Sequence, residues 1–437
     1  MSLRIVAVLL AIGMTQGPQQ FHTWAPTPPM GWNSWDAFGA GVTEGQTLAN
    51  AEYLAQHLKL HGWTLVTIDI QWYEPLAHTD RYRPNAALEM DAHGRLLPAP
   101  NRFPMTASSR SFKPIADLLH RKGLRFGLHL LRGIPRQAVA ENVPILGTNV
   151  RASDIADTSS TCRWNTDMFG VDMTKPGAQA YYDSVLALLA SWGVDFIKVD
   201  DVSRPYHTAE IAAIRTAIDR AGRPIVFSTS PGATPLAEGD HIARHANMWR
   251  ISDDFWDSWP ALNEQFARLR DWTPYRGAGH FPDADMLPLG SIRTWREDDN
   301  WTHFTHDEQI TLMTLWSIAR SPLILGANLP KVDAFTLSLL TNDEVIAVDQ
   351  HSSDNREVMN RDGQIAWVAD VPDSRDKYVA LFNTAAVPAT VRVDDAAMQA
   401  SWRVSDLWNH RDLGAVTAVS ATLNPHGAAL YRVHPKG

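Results

Sequence analysis

Residues 176–201 read PGAQAYYDSVLALLASWGVDFIKVDD. From Pro176 to Trp192 the apolar residues recur at helical spacing, and Asp195–Asp200 is a short apolar run of strand type that ends on two acids. The same helix-then-strand unit repeats along the chain from Pro28 to about Asp349. Strand-like runs are Met30–Trp35, Leu65–Asp69, Phe126–Leu130, Asp195–Asp200, Pro224–Ser228, Met248–Ser252 and Leu323–Gly326. A further, weakly signalled strand is expected near Tyr275–Ala278. Helical patterns lie between them at Glu44–His61, Phe112–Lys122, Pro176–Trp192, Ala209–Ala221, Pro260–Trp272 and Asp307–Ala319. Apolar strands alternating with helices predict a parallel sheet, and about eight units predict a (β/α)8 barrel of the TIM type. An open doubly wound sheet is the rival. No G-x-G-x-x-G follows the first strand and no Walker A motif occurs, which weighs against it.

The chain has 437 residues, room for such a barrel plus an accessory module. With 45% hydrophobic and 20% charged residues it can bury a core, which excludes intrinsic disorder. The net charge is −9 and no Lys/Arg-rich run breaks that balance, so nucleic acid is not an expected partner. The single cysteine, Cys162, excludes an intrachain disulfide or a cysteine metal cluster. The 17 Trp against 9 Tyr lean towards carbohydrate, because indole stacks well on sugar faces, although it also fills cores.

Residues 1–17 read as an export signal: Arg4, an apolar stretch Ile5–Met14, then small residues at Thr15 and Gly17. A secreted or periplasmic protein without a membrane span is expected. The barrel is assigned to residues 25–349. From 350 to 437 short alternating runs (Ile365–Asp370, Tyr378–Phe382, Ala389–Val393, Ala429–Val433) between turn signals predict a C-terminal antiparallel β-sandwich domain.

A barrel carries its chemistry at the C-terminal ends of its strands. Those ends hold Trp35, Asp69, His129, Asp200 with Asp201, Ser228 and Ser230, and Arg250 with Asp253 and Asp254. A rim of acids with Trp and Arg fits glycoside hydrolysis, which uses one carboxylate as nucleophile or base and another as proton donor. Lys198, two residues before Asp200, points to the same face of its strand and sets a positive charge beside that acid.

Several segments now resemble a known family. Residues 27–38 (TPPMGWNSWDAF), 196–201 (FIKVDD), 249–259 (WRISDDFWDSW), 282–287 (PDADML) and 307–323 (DEQITLMTLWSIARSPL) occur in the order found in glycoside hydrolase family 27. That family comprises the melibiase-type α-galactosidases and α-N-acetylgalactosaminidases. The resemblance implies a retaining exo-glycosidase acting on terminal α-D-galactosyl residues of an oligosaccharide or glycoconjugate, with no metal or organic cofactor. It implies Asp200 as nucleophile and Asp254 as general acid/base, with Asp253 the runner-up, and carboxyl groups about 5–5.5 Å apart. It implies Lys198, Arg250 and Asp285 at the sugar hydroxyls near the anomeric carbon, Trp35 as an aromatic wall, and Asp69 at the remote hydroxyls.

Three positions depart from the family pattern. Ile70 follows Asp69 where a second acid is usual, which removes one hydrogen-bond partner expected to serve the axial 4-hydroxyl. His129 stands where many members have Tyr, and Ser228-Thr-Ser-Pro-Gly replaces a Cys-containing loop. Ser230 and Gly232 are small enough to leave room for a 2-acetamido group. The alternatives are therefore an α-N-acetylgalactosaminidase, a related pyranosidase such as one for β-L-arabinose, or a non-catalytic carbohydrate-binding protein. A metal-dependent hydrolase is disfavoured, since no H-E-x-x-H or H-x-H occurs. The long 134–173 segment is expected to form a lid or subsite wall, with Cys162 buried rather than catalytic.

Overall fold

The computed structural model describes residues 20–393 and 402–435. The expected export signal lies outside the described residues. Eight parallel strands curl around one axis: β1 (Met30–Asn33), β2 (Leu65–Ile68), β3 (Arg125–Leu131), β4 (Phe196–Asp200), β5 (Val226–Thr229), β6 (Met248–Arg250), β7 (Phe281–Asp283) and β8 (Leu323–Leu325). Their order is β7-β6-β5-β4-β3-β2-β1-β8, each pairing in parallel with its neighbours. Leu287, just after β7, bridges Leu325 of β8 and closes the ring. The strands are buried almost throughout because helices cover their outer faces.

Six helices fall within two residues of their expected starts, the first continuing from Glu44–Tyr53 through a π turn to His61. The weakly signalled strand does not. Thr273–Tyr275 is a turn of 3-10 helix, and β7 lies later, at Phe281–Asp283. Three residues with Pro282 at their centre carry no apolar run, so tertiary pairing to β6 alone makes them a strand.

The N-terminal mouth of the barrel is closed. Trp24 and Ala25 pack on Leu65, Phe196, Val226, Met248 and Ile324, the first residues of their strands or close to them. Asn247 Nδ2 donates to the Phe21 carbonyl (3.0 Å), and the Arg215 guanidinium stacks over the Phe21 and Trp24 rings at 4.6 and 4.9 Å. Six of the 17 tryptophans are given wholly to the core: Trp32, Trp63, Trp72, Trp249, Trp316 and Trp367 are fully buried. Trp abundance as such thus says little about sugar, since its large apolar surface is spent on packing.

The helix Asp343–His351 runs across the expected domain boundary, and the C-terminal sheet starts at Ser353. Six antiparallel strands follow the order Ser353–Arg361, Gln364–Asp370, Lys377–Asn383, Ala428–Pro435, Trp402–Asp406, Arg411–Val416. A two-stranded sheet, Ala389–Arg392 with Ser420–Leu423, packs on them over a core that includes Val379, Leu381, Val391, Val404 and Val433. This sandwich is welded to the barrel. Phe382 meets Phe266 edge-on at 5.0 Å, His426 stacks on Trp259 at 3.7 Å, and Trp408 Nε1 donates to Thr314 Oγ1 (2.9 Å).

Phe382 is fully buried in this seam, so Phe382→Ala is expected to destabilise the protein by about 3–5 kcal/mol. Calorimetry should show one endotherm moved down as a whole. A split endotherm, with the barrel transition left in place, would mean that the two domains unfold independently.

Candidate active site

The C-terminal ends of the strands open into a cavity of about 1110 Å³. Trp35, Asp69, Lys198, Asp200, Asp254 and Asp285 all line it, as expected from their places at or just beyond strand ends. Lys198 Nζ donates to Asp69 Oδ2 (2.8 Å) and lies 3.9 Å from Asp200 Oδ2. Asp69 also accepts from Asn33 Nδ2 (2.7 Å) and from the Ile70 backbone N–H (2.7 Å). Burial works to raise the Asp69 pKa, but Lys198, His129 and the Ile70 N–H outweigh it and hold this carboxyl at about 2. The same two carboxylates push Lys198 well above its ordinary value despite its burial.

The second half of the site is built around Arg250, which is almost fully buried. Its Nη2 lies 2.6 Å from Asp285 Oδ2 and donates to Asp254 Oδ1 (3.3 Å). Asp285 also accepts from the Phe255 backbone N–H (2.7 Å) and holds a φ of +88°, a strained conformation for a non-glycine residue. Burial presses the Asp285 pKa upward, Arg250 pulls it down, and Asp254 and Asp283 push it up again, to about 7. The two candidate reagents differ sharply in access. The Asp200 side chain is 6% exposed and that of Asp254 55%. Asp253, the runner-up, is 69% exposed and ion-paired with Arg204 at the cavity rim.

Three expected sugar contacts, Arg250, His129 and Ser230, sit behind the wall rather than on it. His129 is fully buried, with Nε2 2.9 Å from Asp200 Oδ2 but without hydrogen-bond alignment. Ser230 is buried too, and its Oγ accepts from Arg250 Nη1 (3.3 Å). Ser230 thus steadies Arg250, while the neighbouring Pro231 and Gly232 take the lining positions. Alternation along β3 sets His129 beside Lys198 in register, inside the barrel. Strand-end position alone does not separate such a residue from one that reaches the cavity.

Asp69, His129 and Asp200 bring one ligand atom each within 4.8 Å of one another. The Lys198 ammonium already lies on Asp69 Oδ2 and supplies the positive charge that a metal would bring there.

Sequence reading missed Asp36, Tyr82, Tyr206 and Trp256 in the lining. Tyr82 stacks on Trp35 with ring centroids 5.9 Å apart and meets Trp164 at 5.4 Å. It comes from an irregular stretch after β2 that carries no periodic signal. Trp164 and Arg163 come from the long segment after β3. That segment folds as a three-stranded antiparallel sheet of Ile134–Pro135, Met168–Val171 and Ala156–Thr161. A side chain at Gly133 would collide with the Phe169 carbonyl (1.9 Å from a Cβ), so the sheet can fold back tightly only from glycine. Asp167, accepting from Gln71 Nε2 and Tyr73 Oη (both 3.0 Å), ties the segment to the barrel. Cys162 is buried, and burial first, with the nearby Asp201, pushes its thiol up to about 12, an inert thiol.

A closed-bottom barrel with unequally exposed carboxylates, a lysine and an arginine around one cavity defines a glycoside hydrolase. The comparisons with known proteins narrow the class. Residues 165–351 match the family model "Alpha galactosidase A", and residues 361–433 match "Alpha galactosidase C-terminal beta sandwich domain". A β-L-arabinopyranosidase of glycoside hydrolase family 27 from Geobacillus stearothermophilus, solved in complex with arabinose as an Asp-to-Ala variant, is 50% identical. The match has a TM-score of 0.94 and covers 96% of this chain and 100% of that one. An α-galactosidase from Oryza sativa is 26% identical, covering 94% of this chain and 85% of its own length. An α-N-acetylgalactosaminidase from Gallus gallus is 24% identical over 94% of each. The chain belongs to glycoside hydrolase family 27.

The Asp69–Lys198 pair has a pH signature. The folded pKa of Asp69 lies below its ordinary 3.8, so its ionisation stabilises the fold above about pH 4, and this contribution is lost as pH falls towards about 2. Lys198→Met leaves buried carboxylates unpaired and is expected to cost about 3–5 kcal/mol at pH 7. Denaturant titrations should show that penalty shrinking on acidification; a penalty independent of pH would contradict the pairing.

Proposed function

We propose that this enzyme removes terminal β-L-arabinopyranosyl residues and, with lower efficiency, the related α-D-galactosyl residues, with net retention through a covalent glycosyl-enzyme. The observation that carries the mechanism is the unequal pair of carboxylates on one cavity. Asp200, enclosed and 3.9 Å from the Lys198 ammonium, suits attack on the anomeric carbon. Asp254, open to solvent and steadied by Arg250, suits proton delivery to the leaving oxygen and then proton abstraction from water. Asp253 is engaged with Arg204, which supports Asp254 as the acid/base.

The sugar preference rests on Ile70. Its side chain is buried with Ala40 and Ala77 behind Trp35 and Tyr82, which line the cavity, so the wall there has apolar backing and no second acid. β-L-Arabinopyranose has the ring configuration of α-D-galactopyranose and lacks only the exocyclic hydroxymethyl group. Asp69 and Lys198 stay on the cavity to serve an axial hydroxyl, so we assign the lost acceptor to the hydroxymethyl group instead. A sugar without that group leaves nothing unpaired against Ile70. The arabinopyranosidase at 50% identity supports the same preference. An α-N-acetylgalactosaminidase is the weaker alternative, because Ser230 is buried against Arg250 and opens no pocket of its own. An extracytoplasmic location, read from residues 1–17, belongs to this proposal.

Hydrolysis of a nitrophenyl glycoside panel tests the reading. The β-L-arabinopyranoside rate should exceed that of the α-D-galactoside, with α-N-acetylgalactosaminide and α-D-glucoside far behind. Asp200→Ala should lower kcat by about 10⁴-fold or more. Asp254→Ala should lower kcat/KM for glycosides with poor leaving groups by about 10²–10⁴-fold while sparing kcat/KM of nitrophenyl substrates, whose kcat falls because deglycosylation loses its base. Ile70→Asp should shift the ratio of kcat/KM values towards the galactoside. A wild-type enzyme that prefers the galactoside would refute the role given to Ile70.

A further inference from the structure

We propose that Asp36 is a further sugar-binding residue, whose carboxyl group acts as a neutral acid and donates a hydrogen bond to a hydroxyl oxygen of the sugar held at the base of the cavity. This rests on the glycosidase reading above.

Asp36 follows Trp35 in the short helix Trp35–Phe38, which turns the chain outward just beyond β1. It is 2% exposed and lines the cavity, and its Oδ2 is a buried oxygen without a hydrogen-bond partner. Its backbone is committed elsewhere, the carbonyl accepting from the Arg293 N–H (2.6 Å). The carboxyl is wedged over Gly326, the residue after β8. A Cβ on Gly326 would lie 2.0 Å from Asp36 Oδ2, so glycine there is what lets the acid keep its place.

The charges around it define its form. Burial first, then Asp285, Asp254 and Asp69, raise its pKa well above the ordinary carboxylate range, and Lys198 only partly opposes them. An acid kept neutral by such surroundings donates a hydrogen bond where a carboxylate only accepts. Among the residues already assigned to the sugar, Asp69 and Asp285 supply acceptors and Lys198 a donor on the cavity, with Arg250 buried behind them. A neutral Asp36 adds a donor that carries no charge. In a cavity holding several carboxylates, this avoids further like-charge repulsion. Asp36 Oδ2 is closed off against Gly326, so the hydrogen bond to the sugar falls to the other carboxyl oxygen, Oδ1, on the cavity side.

The test compares Asp36→Asn, which keeps a neutral donor of the same shape, with Asp36→Ala, which has none. Activity on the nitrophenyl β-L-arabinopyranoside is measured in the otherwise wild-type enzyme. Binding of free L-arabinose and D-galactose is measured by calorimetry in the Asp200→Ala background. Asp36→Ala should raise KM and weaken sugar binding by about 10- to 100-fold, with the thermal midpoint little changed. Asp36→Asn should recover both to within about fivefold of the parent. Equal loss in the Asn and Ala variants would show that an ionised carboxylate is needed and overturn the proposal. Full activity in both, or losses that only track the thermal midpoint, would overturn it as well. Silence of the wild type on every glycoside would count against the glycosidase reading, and the sugar titrations would then decide Asp36 separately. Absence of sugar binding in the parent would overturn both.

Discussion

One ammonium group organises this active site. Lys198 Nζ lies 2.8 Å from Asp69 Oδ2 and 3.9 Å from Asp200 Oδ2, with all three side chains enclosed at the tops of β2 and β4, on either side of β3. Buried carboxylates without a counter-charge carry a desolvation penalty of several kcal/mol each. The lysine makes it possible to hold two of them in a site that excludes most water. Arg250 does the same on the other side for Asp285, and it also steadies the open carboxylate of Asp254. The site is thus two cation-centred halves. A sugar ring that enters between them finds fixed charge and fixed donors on both sides, with no reorganisation of solvent at the moment of reaction.

The rest of the fold keeps those halves in place. Arg132, from the end of β3, takes the Asp200 carbonyl on its own N–H (3.0 Å) and the Asp201 carbonyl on Nε (2.7 Å). Its guanidinium also pairs with the Asp201 and Glu210 carboxylates at 2.8 and 2.7 Å. That bracing fixes the backbone immediately after Asp200, where Asp201 adopts a left-handed conformation with φ of +63°. The same segment of chain goes on to form the small sheet that delivers Arg163 and Trp164 to the rim. The inserted segment therefore has two duties, a support beneath the nucleophile strand and a wall beside the entrance.

Much of this was legible along the chain. Apolar strand-like runs of four to six residues followed by amphipathic helices have a physical period, and acids placed where those runs stop have a register. Together these suffice to find Asp69, Lys198, Asp200 and Arg250. β7 escaped because three residues around Pro282 have no period to read. His129 and Ser230 were assigned to the sugar because strand-end position does not say how deep a side chain sits. Asp36 and Tyr82 were not found, since neither a four-residue helix nor an irregular loop announces which side chain will turn inward.

By itself the sequence determined the barrel, the β-sandwich and the identity of the charged residues at the strand ends. These follow from local periodicity and from the rule that parallel strands present their C-terminal ends on one face. Only the tertiary structure decided which carboxylates are enclosed and which are open, that His129 and Ser230 stand behind Asp200 and Arg250, and that Asp36 is a buried acid bordering the cavity. Burial and the summed field of neighbouring charges are properties of groups far apart in the chain. Asp36 owes its environment to Asp69, Lys198, Asp254, Asp285 and the absent side chain of Gly326, and no window of sequence contains them all.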